Sequence, residues 1–259
     1  METMILAFVI LMGLVLGSFF NVVIYRLPRG LNLSRPPSTC PGCGSRIKPY
    51  DNVPVLSYLV LRGKCRTCGR RISPIYPTVE ILTALGFALV FLQSGRALDL
   101  PFFAGVVFTS ALIVLGFIDA AHQVLPDVVT IPGFALALAY SFFRTDLKFV
   151  GALIGAVAGA GFLALIYGAY WLIRKKEGLG LGDIVMMLMV GAFLGWERTL
   201  LVLILASLAG ALFGIYLMAR KGKNAQFALP FGSFIAPAAF IALVWGQRVV
   251  DWYVSRLPH

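Results

Sequence analysis

Two aspartates stand at the margins of apolar segments in a chain of 259 residues that carries only 11 acidic ones. Asp119 closes the apolar run at 111–119, and Asp183 closes the glycine-rich stretch at 178–183, directly before another apolar run. An ionised carboxylate at the edge of a bilayer is unfavourable and usually functional. Two carboxylates that share a site hold one proton between them, so one can activate water while the other polarises a carbonyl. The pair therefore predicts peptide hydrolysis without a covalent intermediate.

The local sequence around each aspartate suits such a role. Pro126 prevents regular helix from continuing past Asp119, which places that residue at the end of its helix, within reach of water. Gly178, Gly180 and Gly182 alternate before Asp183 and form a loop that can approach a partner or a substrate backbone closely.

Structural interpretations of these acids remain open at this point. Asp183 also resembles the N-cap of the helix that follows it, and Asp119 also fits an interfacial acid at a helix end. Asp127 rivals Asp119 because it flanks Pro126 as well; we favour Asp127 as the cap of the next helix and Asp119 as the catalytic residue. His122 is interpreted as a polar bystander.

The four cysteines all lie in the largest hydrophilic loop, as two CxxC pairs separated by 21 residues. They are Cys40, Cys43, Cys65 and Cys68. Two such pairs match a tetrahedral zinc site, because each short turn presents two thiolates to one metal, and Gly44 and Gly69 permit the turns. Four protein ligands leave no open position for water, so the zinc is predicted to be structural. Disulfides or free thiols are the alternative, and a cytoplasmic loop argues against disulfides.

Composition indicates that these sites are carried by membrane-spanning helices. The chain is 59% hydrophobic and 13% charged, with a mean hydropathy of +0.89, whereas a soluble domain carries about 25% charged residues. We predict an all-α polytopic membrane protein with about eight transmembrane helices, and a small zinc-binding cytoplasmic loop between the first two. The spans are 4–25, 77–95, 101–119, 128–143, 149–173, 184–195, 199–219 and 229–247. The fourth and sixth are short. Residues 1–259 are expected to form a single integral membrane peptidase domain with an inserted loop at 27–76.

Basic residues predict the orientation of these spans. The loops at 26–76, 120–127, 174–183 and 220–228 carry 16 of the 22 Lys and Arg residues, which favours a cytoplasmic location for them and an external location for both termini. The first apolar run has no basic residue before it and is not expected to be a cleaved signal peptide. The net charge of +11 is interpreted as a topology signal and an attraction to anionic membrane lipids, and no nucleic-acid partner is expected.

Several motifs together resemble the bacterial type IV prepilin peptidases, which are leader peptidases and N-methyltransferases of the GxGD membrane aspartic protease class. The motifs are GSFFNVVIYRLP (17–28), the CPGC and CRTC pairs, ISPIYPTVE (72–80), FIDAAHQVLPD (117–127), EGLGLGD (177–183) and LPFGSFIAP (229–237). The resemblance covers nearly the whole chain. It implies that Asp119 and Asp183 are the catalytic pair and that Gly180 and Gly182 belong to the GxGD element.

The resemblance also implies substrates and a second activity. Type IV prepilins or type II secretion pseudopilins would lose a short basic leader after a glycine, at the cytoplasmic face of the bacterial inner membrane. The new N-terminus would then be methylated with S-adenosylmethionine. No residue pattern shows this second step; Asn21, Glu80 and Glu177 are weak candidates for binding the cofactor. Two positions depart from the family pattern, where Val185 and Ile75 replace residues that are often basic.

Two other functions would use the same pair of aspartates. A GxGD-type intramembrane protease could act on other membrane substrates, which a comparison of substrates with and without a glycine–phenylalanine junction would reveal. A proton-coupled transporter could use the two aspartates as a relay. Transporters place such residues near the bilayer midplane, often in inverted repeats, and this chain shows no such repeat.

Overall fold

The computed structural model describes residues 1–175, 180–221 and 229–256. Glu177 and Gly178, named above, lie outside these residues. Within the described ranges the chain forms α-helices, two 3-10 turns (Leu27–Arg29 and Pro49–Asn52) and two isolated β-bridges, without a β-strand. The helices are α1 (Glu2–Arg26), α2 (Leu56–Val60), α3 (Ile75–Gln93), α4 (Leu100–His122), α5 (Asp127–Ser141), α6 (Phe149–Arg174), α7 (Leu181–Leu194), α8 (Trp196–Lys221) and α9 (Gly232–Val254).

Each of the eight predicted spans falls on one of these helices, so the prediction of an all-α polytopic membrane protein is confirmed. Among the residues that the structure describes, six helices are long and apolar enough to cross a bilayer, namely α1, α3, α4, α6, α8 and α9. The predicted short spans correspond to α5, of 15 residues, and α7, of 14 residues. The short helix α2 lies inside the hydrophilic loop and was not predicted.

The chain divides into two compact units, 1–114 and 115–259, and the division falls within α4. In the first unit α1 packs tightly against α3, because Gly13 and Gly17 face the α3 backbone. A Cβ at Gly13 would lie 2.5 Å from the Cα of Ala84, and a Cβ at Gly17 would lie 2.7 Å from the Cα of Glu80. These glycines therefore set the distance between the two helices, as the small-xxx-small spacing of α1 suggests.

In the second unit α7 is the central helix and contacts α5, α6, α8 and α9. Apart from Asp183 its side chains are apolar on all sides, and Met186, Met187 and Val190 are fully buried. A helix that is hydrophobic all round belongs in a protein interior, which explains how α7 can be shorter than a lipid-exposed span. α6 approaches α7 most closely at Gly155 and Gly191, where a Cβ on either residue would collide with the backbone of the other helix.

Candidate active site and metal centre

Asp119 lies in the last turn of α4 and is only 4% exposed. The helix stops shortly afterwards, at His122, and the next residue, Gln123, takes a positive φ of 54° while its N–H still bonds the Asp119 carbonyl oxygen at 2.8 Å. The chain then reaches Pro126 and enters α5. This abrupt end leaves the Asp119 side chain beside the segments that begin α7 and α9.

Asp183 is the third residue of α7 and is 6% exposed. Its Oδ2 accepts a hydrogen bond of 3.2 Å from the N–H of Gly180, the residue that precedes the helix. Asp183 thus helps to cap α7 from within the first turn, rather than from the N-cap position itself. Its Oδ1 is buried and accepts no hydrogen bond from the residues that the structure describes.

The two aspartates are close enough to interact electrostatically, and both face the N-terminus of α9. The N–H of Ser233 donates to Asp119 Oδ2 at 2.7 Å, and the N–H of Gly232 is directed at both carboxylates. These amides belong to the first turn of a helix, where backbone N–H groups have no partner within the helix and attract negative charge. None of the ion pairs among the described residues involves either aspartate.

Two glycines allow the backbone to close around this pair. A Cβ at Gly182 would lie 2.9 Å from the Cβ of Leu125. A Cβ at Gly232 would lie 3.0 Å from Leu125 Cδ1 and 3.1 Å from Asp119 Oδ2. Leu125, which is buried, therefore packs between the starts of α7 and α9, and a larger residue at either glycine would displace it.

Gly232, Ser233 and Leu125 were missed as individual site residues by the sequence analysis. Gly232 and Ser233 lie within the motif LPFGSFIAP, which was noted without a role. A usable signal was present, because Pro230 and Gly232 stand at the start of a long apolar segment and therefore predict a helix N-terminus with exposed N–H groups there.

Asp127 and His122 lie near the pair in sequence. The prediction that the Asp127 side chain caps α5 is wrong: Pro126 occupies the N-cap position, and Asp127 is an exposed first helical residue without a cap hydrogen bond. Its charge still suits the positive end of the helix dipole. His122 is half-buried in the last turn of α4, and its interpretation as a bystander stays a prediction.

The four cysteines come together in the first unit. The Sγ atoms of Cys40, Cys43, Cys65 and Cys68 all lie within 4.8 Å of one another, and those of Cys40 and Cys68 are 3.8 Å apart. Tetrahedral zinc with Zn–S bonds of about 2.3 Å places its sulfurs about 3.8 Å apart. The cluster can therefore hold a metal ion.

The two CxxC turns are built alike. In each, the first cysteine donates its N–H to a carbonyl five residues on, from Cys40 to Ser45 and from Cys65 to Arg70, at 2.9 and 2.8 Å. Its carbonyl accepts the N–H of the glycine four residues on, at 2.8 Å for Gly44 and 2.9 Å for Gly69. Both glycines have φ of +70°, which favours glycine because it lacks a Cβ.

The clustered thiols titrate unevenly. The N–H groups of Cys68 and Thr67 lower the pKa of Cys65 to about 6. The Arg70 N–H favours the thiolate of Cys68, but desolvation and the neighbouring thiols outweigh it and raise the pKa of Cys68 to about 11. Thiolates are the form that binds metal, so Cys65 is prepared for a cation at neutral pH.

Asn21 and Glu80, two of the weak cofactor candidates, lie in the first unit and bond to the backbone there. Asn21 Nδ2 donates to the carbonyl oxygen of Tyr76 at 3.0 Å, and Glu80 Oε2 accepts the N–H of Val55 at 2.7 Å. Both side chains are buried. These contacts fit a role in packing better than one in binding a cofactor.

Comparison with known proteins places this geometry in a family. Residues 11–94 match the bacterial peptidase A24 N-terminal domain, and residues 106–215 match the type IV leader peptidase family. No solved structure matches the chain.

Relatives from several bacteria are named prepilin leader peptidase/N-methyltransferase. The protein of Pseudomonas putida is 37% identical over 95% of this chain and 91% of its own length. The proteins of Pseudomonas aeruginosa and Aeromonas salmonicida are also 37% identical, each over 96% of this chain and 94% of its own length. With two helix-borne carboxylates in its second unit and this identity over nearly its whole length, the chain is a membrane enzyme that belongs to the type IV leader peptidase family.

Proposed function

We propose that this protein is a membrane aspartic endopeptidase that removes the basic leader of type IV prepilins or pseudopilins, cutting after a glycine at the cytoplasmic membrane face. The observation that carries the proposal is the pairing of Asp119 and Asp183. Two buried carboxylates from different helices interact with each other and with the amides at the start of α9. The names of the relatives support the substrate class.

The hydrogen bonds suggest a division of roles within the pair. Asp119 receives the N–H of Ser233 at 2.7 Å and faces the N–H of Gly232, and such donors favour an ionised carboxylate. Asp183 keeps its buried Oδ1 without a donor, so this atom is the natural carrier of the shared proton. Asp119 then takes a proton from the attacking water, while Asp183 donates a hydrogen bond to the scissile carbonyl.

The surroundings of the pair support this chemistry. Leu125 packs against Gly182 and Gly232 and keeps one side of the carboxylates apolar, which strengthens electrostatic interactions there. The backbone amide of Ser233 holds the Asp119 carboxylate through a hydrogen bond of 2.7 Å, and none of the ion pairs among the described residues brings a cation to it. An unneutralised carboxylate remains basic enough to activate water.

The cysteine cluster is proposed to hold a structural zinc ion. Four thiolates at these distances satisfy a tetrahedral ion and leave no position for water or substrate. The metal would supply folding energy to the inserted loop at 27–76, which has little apolar core of its own. Chains that lack Cys40 and Cys65 should lose zinc, as measured by metal analysis; full occupancy in that variant would contradict a four-thiolate site.

We place the enzyme in the bacterial inner membrane, with both termini outside and with the cysteine loop and the start of α7 on the cytoplasmic side. The distribution of basic residues supports this orientation, since 16 of 22 lie in the loops assigned to the cytoplasm. Residues 1–259 would act as one peptidase domain.

Methylation of the new N-terminus by S-adenosylmethionine is proposed from the relatives' names alone. The contacts of Asn21 and Glu80 with the backbone do not support cofactor binding by these residues, and Glu177 lies outside the described residues.

The test is incubation of the purified protein in detergent with a synthetic prepilin, followed by mass spectrometry. A matched peptide with a bulky residue in place of the glycine before the cleavage site serves as control. We expect loss of the leader from the first peptide only, and a further gain of about 14 Da, one methyl group, when S-adenosylmethionine is present.

Other outcomes would redirect the assignment. Cleavage of both peptides, or of unrelated membrane segments, would favour the general intramembrane protease instead. An intact prepilin with a protein of unchanged fold would contradict the proposed substrate. Cleavage without the mass gain would support the proposed peptidase activity and contradict the proposed methyl transfer.

A further inference from the structure

A basic cavity in the first unit has no role in the chemistry described above. It has a volume of about 550 Å³ and lies between the end of α2 and the start of α3. Its lining includes Tyr58, Arg62, Lys64, Arg71, Ser73 and Pro74. Three cations thus line one cavity that has no acidic residue in its wall.

These cations are not neutralised by the surrounding chain. Asp51 is the only acidic residue in the segment 26–76, against ten basic ones. It is held by Arg66 through hydrogen bonds of 2.6 and 3.0 Å, and this guanidinium lowers the pKa of Asp51. Among the described residues no carboxylate forms an ion pair with Arg62, Lys64 or Arg71. The cavity therefore presents uncompensated positive charge to an anion.

The cavity adjoins the point where the chain enters the membrane. Ser73 and Pro74 directly precede α3, a candidate membrane span that begins at Ile75. The side chains of Ile75 and Tyr76 in its first turn are 52% and 41% exposed. An anion bound by the cavity would therefore lie at the height of the lipid headgroups.

The short helix α2 carries exposed apolar side chains next to this cavity. Leu56, Leu59 and Val60 are 57%, 64% and 68% exposed, and Arg62 follows two residues later. Exposed apolar groups of this size, rimmed by basic residues, are typical of segments that lie in a membrane interface.

A hydrogen bond fixes the height of α2 relative to α3. Glu80, five residues after the start of α3, accepts the N–H of Val55, which directly precedes α2. Val55 adopts φ of +59° there, an unfavourable conformation for a β-branched residue. The start of α2 is thus held beside the second turn of a membrane span, at the boundary between headgroups and acyl chains.

We infer that the segment 53–74 binds anionic phospholipid of the surrounding membrane, with Arg62, Lys64 and Arg71 around the phosphate headgroup and α2 against the acyl chains. Lipid fits both features together, since it joins a phosphate to an apolar chain. A basic pilin leader would be repelled by the three cations, and a soluble anion would leave the apolar face of α2 uncovered.

The test is native mass spectrometry of the full-length protein, delipidated in an uncharged detergent and titrated with phosphatidylglycerol. Phosphatidylcholine and glycerol 3-phosphate are titrated in parallel arms. The variant Arg62→Gln/Lys64→Gln/Arg71→Gln is compared with Arg35→Gln/Arg46→Gln/Lys48→Gln, which removes the same charge from the same loop. Arg46 is a matched control for Arg71 because the two residues occupy equivalent backbone positions. Arg46 forms a β-bridge with Thr39 beside the first CxxC turn, and Arg71 forms one with Lys64 beside the second.

We expect wild type and the control variant to bind phosphatidylglycerol in preference to phosphatidylcholine, and the cavity variant to bind it at least tenfold more weakly. Each basic residue at an anionic surface contributes about fivefold to affinity. Removing three basic residues should therefore weaken lipid binding by at least about tenfold. Replacing Leu59 and Val60 with asparagine should weaken binding of the lipid as well. Unchanged zinc content and elution volume show that the variants are folded.

Three results would overturn the inference. Equal losses of phosphatidylglycerol binding in both charge variants would mean that the loop attracts anionic lipid through its overall charge, without a specific site. Equal binding of the two lipids, or of no lipid by wild type, would remove the preference for anionic headgroups. Binding of glycerol 3-phosphate as tight as that of phosphatidylglycerol would assign the cavity to a soluble anion. The assay contains no pilin, so its outcome is independent of the proposed peptidase activity.

Discussion

At the scale of single residues, the candidate site depends on backbone groups as much as on side chains. Asp119 is oriented by the N–H of Ser233 at 2.7 Å, and Gly232 directs its own N–H at both carboxylates. A side chain that is free to rotate would spend less time in the geometry that activates water, so the donor at Ser233 should matter for turnover.

Proline at position 233 would remove that donor, together with the longer bond of 3.3 Å from the same N–H to the Pro230 carbonyl, and proline is tolerated in the first turn of a helix. We expect Ser233→Pro to lower kcat for prepilin cleavage by about tenfold or more, with a smaller change in KM. Direct oxyanion donors are worth about a hundredfold or more, and a donor that orients a catalytic carboxylate should be worth less.

Ser233→Ala is the matched control, since it keeps the N–H and loses only the hydroxyl bond to the Pro230 carbonyl. Its kcat should stay within about threefold of wild type, because the lost hydrogen bond is worth only about 1 kcal/mol to stability. Equal losses in the two variants, with normal protein levels, would show that the hydroxyl or the local fold matters rather than the amide.

At the scale of helices, the shortness of α7 helps to place the site. Its 14 residues span about 21 Å, against about 30 Å for the hydrocarbon core of a bilayer. A helix this short cannot reach both membrane surfaces, and it can remain short because its neighbours cover it. If the C-terminal end of α7 lies near one membrane surface, Asp183 at its N-terminal end lies below the opposite surface. At that depth it is sheltered from bulk water and within reach of a substrate helix.

The position of α7 depends on its close contact with α6. Gly155→Ala should lower the melting temperature in detergent, because the new methyl group would collide with the Gly191 carbonyl and with Gly195. Overpacking of this kind costs about 1–3 kcal/mol. Cleavage activity should fall as well, since α7 carries Asp183.

Gly161→Ala provides the control within the same helix. A Cβ at Gly161 has no neighbour within 4 Å, and alanine favours helix over glycine by about 1 kcal/mol. Its melting temperature should be equal to that of wild type or slightly higher. A Gly155→Ala protein as stable as Gly161→Ala would mean that the two helices have room to separate.

The sequence predicted the helices, the two aspartates and the cysteine cluster because their signals are local. Long apolar runs mark the spans, and two CxxC pairs mark a metal site whatever the tertiary fold. The contacts of Ser233 and Gly232 could not be predicted in the same way, because every residue except proline has an N–H and only tertiary structure shows which one meets Asp119. The prediction of Asp127 as a cap was wrong by one position, because Asp127 is already the first helical residue and Pro126 stands at the N-cap without a cap hydrogen bond.

At the scale of the whole molecule, charge divides the loops into two sets. The proposed orientation predicts that a periplasm-dependent reporter, alkaline phosphatase, is active when fused after residue 259 and inactive when fused after Lys175. The reason is that the loop at 174–183 carries three basic residues, and basic loops stay in the cytoplasm. A reporter that is active after Lys175 and inactive after residue 259 would contradict this orientation and place the start of α7 on the periplasmic side.

The most direct measurement compares Asp119→Asn, Asp183→Asn and Asp127→Asn with wild type in the prepilin assay, with cleavage read by mass spectrometry. Asparagine keeps the size of each side chain but can neither accept nor supply the shared proton. We expect both site variants to lose cleavage by at least a thousandfold while remaining folded in membranes, and Asp127→Asn to stay within a few fold of wild type. Normal processing by either Asp119→Asn or Asp183→Asn would contradict the two-aspartate site.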